Sequence, residues 1–157
     1  MSSGTNINAS VNRAARQEIM RVCAEATEAE LEAAYAALGD VPAAEDIRAP
    51  QAGLVMLRGR IGGNGPVFNV GEATVTRAAV RLSTGGMGFS YLLGGSHRRA
   101  RLAAVFDAMG QQDGYRRQLQ DVLVKPVLDR CTAERDAKRA ETAATRVDFF
   151  TLVRGED

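Results

Sequence analysis

Residues 56–82 read "MLRGRIGGNGPVFNVGEATVTRAAVRL". Glycines and an Asn-Gly pair interrupt the middle, and the flanks alternate. From Gly53 onward, Val55, Leu57 and Ile61 fall on one side of an extended chain, with Arg58 and Arg60 on the other. Asn64-Gly65 predicts the turn, because both residue types tolerate positive φ. Beyond it, β-branched Thr74, Val75 and Thr76 favour a strand over 72–82, although "RAAVRL" alone would suit a helix. The segment is a predicted hairpin, and its neighbours decide what the hairpin belongs to.

Downstream, "GGMGFSYLL" (85–93) predicts a third strand with Phe89, Tyr91 and Leu93 on one side. Upstream, "VPAAEDIRAPQAG" (41–53) carries two prolines and is expected to be a loop. Before it, Val11, Ala15, Ile19, Val22, Cys23 and Ala26 recur at helical spacing over 11–26. Thr27 and Glu30 fit a capping box for a second helix, whose stripe is Leu31, Ala34, Tyr35 and Leu38 and whose stop is Gly39. Past the strands, Ser96 caps a helix to about Gln112, with Leu102, Val105, Phe106 and Met109 as its stripe. Another helix covers roughly 114–124, and Pro126 either interrupts it or opens a new one. Beyond Cys131 the last helix has almost no apolar stripe, so it is solvated or lies on something other than its own core. The chain closes with "TRVDFFTLVRGED" (145–157), apolar on both faces when extended, which suits a buried strand or a partner-covered arm. The predicted class is α+β: an N-terminal helical hairpin, a small antiparallel sheet, C-terminal helices and a terminal extended segment. Residues 1–10 are expected to be a flexible leader and 11–157 a single domain.

The totals narrow the function. With 157 residues and a formal net charge of +1, no field of the whole chain steers it to nucleic acid or a membrane surface. Trp is absent and no RRM, helix-turn-helix or zinc spacing occurs, which disfavours nucleic acid further. Cys23 and Cys131 form no CxxC pair, which suits a reducing cytoplasm, and His97 is the single histidine. No apolar run is long enough for a membrane helix and no secretory signal is visible.

Candidate chemistry concentrates in the hairpin. The Gly62–Gly65 loop offers backbone N–H groups to an anion, yet neither GxxxxGK(S/T) nor GxGxxG is present. If the two strands pair with their basic faces together, Arg58, Arg60, Arg77 and Arg81 gather on one side. Such a cluster is a solvated face with internal ion pairs, a seat for a partner's carboxylates, or a phosphate site. "SHRRAR" places His97, Arg98, Arg99 and Arg101 at a helix start, where cations oppose the helix dipole. No GxSxG, no HExxH and no Cys with a neighbouring His appears. Glu72 and Asp148 are the carboxylates in the most unusual surroundings, with no paired acid in view. No catalytic and no metal-ligating residue is predicted.

"GLVMLRGRIGGNGPVFNVGEATVTRAAVRL", "GFSYLLGG" and "TRVDFFTLVRGED" resemble the PhnG family, the G subunits of bacterial carbon–phosphorus lyase systems. The resemblance runs from about Val11 to Asp157, with Gly71–Leu82 and Arg146–Gly155 its most specific parts. The turn has GGNG where the family is expected to have GGTG, and Gly95 stands where relatives often continue with Arg; if that Arg contacts a ligand or subunit, this chain uses Arg98 or Arg99 instead or lacks the contact. The resemblance implies a cytoplasmic subunit of a core complex with the H, I and J subunits in paired copies. With H, I and L proteins it supports displacement of adenine from ATP by an alkylphosphonate, giving ribose 1-alkylphosphonate 5-triphosphate. The I subunit carries the nucleosidase chemistry, and the J subunit the iron–sulfur cluster and S-adenosylmethionine; this chain binds no cofactor. Arg58, Arg81, Val147, Phe149, Phe150, Leu152 and Arg154 are then expected at partner interfaces. In the alternative, Arg60, Arg77, Gly62, Gly63 and Gly65 clasp the triphosphate or phosphonate.

Overall fold

The computed structural model describes residues 4–145. The elements are α1 (Gly4–Glu25), α2 (Glu28–Ala37), β1 (Ala44–Arg60), β2 (Val67–Leu82), β3 (Met87–Leu93), α3 (His97–Gly110), α4 (Asp113–Leu119) and α5 (Lys125–Ala144), with a π-helical turn over Gln120–Val124 between α4 and α5. Helices flank one antiparallel sheet of order β1-β2-β3, the expected α+β arrangement.

The hub is α3. It lies on β2 and β3, and α1 and α2 pack on it from the other side. Nearly every residue from Ala100 to Gly110 is therefore buried, well beyond the expected stripe. Close seating on the sheet needs small residues at the contact. A Cβ on Gly88 would sit 1.9 Å from the Ala104 carbonyl oxygen, so only glycine fits there. From α1, Ile19, Val22, Cys23 and Ala26 enter the core at the spacing read from the sequence. The capping box forms as expected: the Glu30 N–H donates to Thr27 Oγ1 at 3.2 Å, and the Thr27 N–H donates to Glu30 Oε2 at 2.7 Å. Arg130 ties α5 to this turn, donating to Glu30 and to the Glu25 carbonyl. Burial opposes ionisation of Glu30, but bonds from Arg130 and Thr27 outweigh it and hold the carboxyl below its ordinary value. Between α1, α3 and β3 sits Asp107, 1% exposed, taking both Arg16 donors at 2.7 Å and the Phe89 N–H at 2.9 Å.

Three expectations change. The helix expected from residue 11 begins at Gly4, where no proline stops it. The loop expected over 41–53 is mostly strand: β1 starts at Ala44 and passes through Pro50. Register irregularities between Asp46 and Arg48 and between Arg48 and Gln51 accommodate it, and β1 is an edge strand, where proline is tolerated. The hairpin turn does not rest on Asn64-Gly65: the left-handed residues are Gly62 (φ 61°) and Gly63 (φ 79°). Pro126 takes the second of its two expected placements, in the first turn of α5. The wider i→i+5 turn just before it relieves the clash a regular helix would impose. The 77–82 segment is strand, with Ala78, Val80 and Leu82 turned inward and Arg77 and Arg81 exposed.

Candidate functional site

β3 pairs only with Val75–Arg81, whereas β1 follows β2 back to its first residue, Val67. From Leu54 and Thr74 outward the sheet thus narrows to a two-stranded arm that, among the described residues, no helix covers. Apolar side chains stand exposed along it: Leu54 is 64% exposed, Ile61 71% and Val70 60%, with Met56, Leu57 and Phe68 also open. The register puts Leu54 and Met56 on one face of the arm and Leu57 on the other. A lone two-stranded ribbon is marginal in water, and a contiguous exposed apolar surface marks a place where something binds.

At its tip, the Gly65 N–H donates to the Ile61 carbonyl at 3.0 Å, and the Arg60 guanidinium donates to the Gly65 carbonyl at 3.1 Å. Arg60, Gly62, Gly63 and Gly65 are thus brought together, but as a turn closed on itself.

The four arginines of the hairpin do not gather. Arg58 lies opposite Asn69 and Arg60 opposite Val67, while Arg77 faces Gln51 and Arg81 faces Glu45. Asn69 is eight positions along β2 from Arg77, about 26 Å at the rise of an extended chain. Within one chain, Arg60 and Arg77 therefore cannot clasp one phosphate group together. The cause is the turn, which fixes the register: Arg60 pairs with Val67 beside it, so Arg58 and Arg60 lie near the turn while Arg77 and Arg81 lie far along β2. Arg77 donates to Gln51 Oε1 at 3.1 Å and borders a hollow of about 200 Å³ with Gly53, Val75 and Tyr91.

The basic start of α3 is consumed inside the chain. Arg98 pairs with Glu32; Arg99 donates to the Leu93 and Ala24 carbonyls; Arg101 donates to Asp46 at 2.8 Å and to the Ala44 carbonyl at 2.9 Å. These partners on α1, α2 and β1 offset the dipole mismatch. Cys23 and Cys131 are buried. Burial, helped by the charge of Asp107, pushes the Cys23 thiol up to about 12, so it is a protonated core residue at neutral pH. Glu72 stands exposed on the arm opposite Met56. Val147, Asp148, Phe149, Phe150, Leu152 and Arg154 lie outside the described residues. Sequence reasoning missed the 44–52 half of β1, outside the arm, and the first residues of β2 within it, for which Val67, Phe68 and Val70 were the cue.

The family described as "Phosphonate metabolism protein PhnG" matches residues 14–155, which takes in part of α1, the later helices, the sheet and the whole arm. The alpha-D-ribose 1-methylphosphonate 5-triphosphate synthase subunit PhnG of Rhizobium meliloti (strain 1021) is 54% identical over 144 residues, covering 92% of each chain.

Proposed function

The chain belongs to the PhnG family of phosphonate metabolism proteins, and from that premise we propose that it is an accessory, non-catalytic subunit of an alpha-D-ribose 1-methylphosphonate 5-triphosphate synthase. In this role it supports the assembly in which an alkylphosphonate displaces adenine from ATP. Its partners are the H, I and J subunits of a cytoplasmic carbon–phosphorus lyase core, with the L protein acting alongside. The chain holds no cofactor; ATP is the complex's substrate, and the iron–sulfur cluster and S-adenosylmethionine belong to the J subunit.

One observation carries the proposal: an apolar two-stranded arm projects past the chain's own core, while its arginines are spread along the sheet. An arm of this kind gains more by burial against a neighbour than it can gain alone. Arg58 stands near the tip of that surface, Arg81 meets a partner at the far end of the sheet, opposite Glu45, and the 147–154 segment supplies a second anchor.

The test is reconstitution with the partner subunits and measurement of adenine release from ATP and methylphosphonate. Arg60→Ala and Arg77→Ala should leave kcat of the intact assembly within about twofold. A fall of about a hundredfold in kcat with assembly unchanged would move these arginines into the substrate pocket and end the accessory reading.

A further inference from the structure

Antiparallel neighbours share a face. Met87, Phe89, Tyr91 and Leu93 of β3 therefore lie on one side with Arg81, Ala79, Arg77 and Val75 of β2. The other side is occupied by α3, where Gly88, Ser90 and Leu92 are buried. On the first side the four β3 side chains are 45% to 68% exposed, while Val75 and Ala79 of β2 are buried. Between them and β1 runs a hollow of about 400 Å³ lined by Arg48, Arg77, Ala79, Phe89 and Tyr91.

Three observations narrow what covers this side. The free edge of β3 is already plugged by α3. Asp107 takes the Phe89 N–H, Gln111 donates to the Met87 carbonyl at 2.7 Å, and Arg99 donates to the Leu93 carbonyl at 3.3 Å. An incoming strand cannot extend the ladder there, so the face is the surface on offer, not the edge. The face is also basic, with Arg48, Arg77 and Arg81 against Glu45. A second copy presenting the same face would set arginine against arginine. Finally, the alternating row from Met87 to Leu93 spans about 20 Å. On the inner face, α3 meets the same strands with 14 residues, about 21 Å of helix.

We propose that this outer face seats an amphipathic helix of a different protein subunit, about as long as α3, whose apolar stripe packs on Phe89 and Tyr91 and whose flanking Asp or Glu residues meet Arg48, Arg77 and Arg81. Two half-open aromatic rings supply the anchor. The arginines set which helix is accepted and in which direction it lies. The proposal rests on the chain working inside a hetero-oligomer, and it is separable from the role of the arm.

The experiment uses the full chain co-expressed with its partner subunits, carrying a photo-crosslinking p-benzoylphenylalanine at Tyr91 or, as a second probe, at Leu57 on the arm. Adducts are mapped by mass spectrometry. The expected adduct from position 91 lies on a helix of another subunit with acidic residues beside the attachment point. In parallel, Arg77→Glu with Arg81→Glu should lower complex recovery about tenfold or more while the circular dichroism melt of the variant matches wild type. An adduct within residues 146–157 of the same chain, on a second copy or on a strand overturns the proposal, as does full recovery of the charge-reversed complex. An adduct from position 57 with none from 91 overturns it too, yet leaves the subunit role standing; silence at both positions sinks both.

Discussion

Leu54, Ile61 and Val70 put the arm to a direct test. They are 64%, 71% and 60% exposed, so each retains roughly two thirds of its side-chain surface for a partner to cover. Fully burying a Leu, Ile or Val side chain is worth about 1.5–3 kcal/mol, which leaves roughly 1–2 kcal/mol per residue here. Changing all three to Thr keeps the strand preference of the arm while removing most of that gain. The triple variant should bind its partner subunits about 3–6 kcal/mol more weakly, a loss of roughly 10²- to 10⁴-fold in affinity. The isolated fold should hardly notice, since exposed substitutions stay within about 0.5 kcal/mol each. Tagged co-purification and biolayer interferometry read the first quantity; far-UV circular dichroism and a thermal melt read the second. Affinity within about threefold of wild type would refute the interface. So would a collapsed melt, because it would mean these side chains already pack within their own chain.

Further outcomes follow from single contacts. Gly88→Ala drives a methyl into the Ala104 carbonyl, 1.9 Å from where the Cβ must stand. Because backbone cannot swing aside, α3 must lift off the sheet at about 1–3 kcal/mol, seen as a melt lowered by about 2–12 °C; an unchanged melt contradicts the close seating. The Glu30 carboxyl titrates below its ordinary 4.5 when folded. Its contribution is therefore present above the unfolded value and lost as pH falls through the folded one. Urea midpoints at pH 7 and pH 3 should accordingly differ less in Glu30→Gln than in wild type, and an equal drop would show that the Arg130 and Thr27 contacts carry no such linkage. Phe149→Ala with Phe150→Ala is expected to abolish co-purification with the I subunit while the helices stay folded, and an unchanged complex yield would remove the C-terminal segment from the interface.

Helices were legible wherever one face had to be apolar. Ile19, Val22, Cys23 and Ala26 announce their spacing, and Thr27 with Glu30 announces the boundary through a bond pattern local to four residues. β2 was legible for the same reason: its inward Ala78, Val80 and Leu82 alternate with Arg77 and Arg81. β1 was half hidden. Of residues 44–52 only Ala44 packs against the core, so burial imposes little period on them, and Pro50 carries the signature of a loop. The arginine arrangement failed for a different reason: the turn fixes a hairpin's register, and it sets Arg58 and Arg60 beside itself while Arg77 and Arg81 lie far along β2. The turn failed more narrowly: two neighbouring glycines, more permissive than Asn-Gly, took the left-handed positions. The basic run at the start of α3 was visible, but its partners, Glu32, Asp46 and the Ala24 carbonyl, are brought in by tertiary structure that spacing does not encode.

The position of α3 at the hub also bears on how the chain leaves the ribosome. α1 and α2 are complete by Ala37, yet the surface they bury against starts only at His97. At about 5–20 residues per second, several seconds of synthesis separate the two. Throughout that interval Ile19, Val22 and Leu31 have no core to enter, which makes the nascent N-terminal helices natural clients for a holding chaperone.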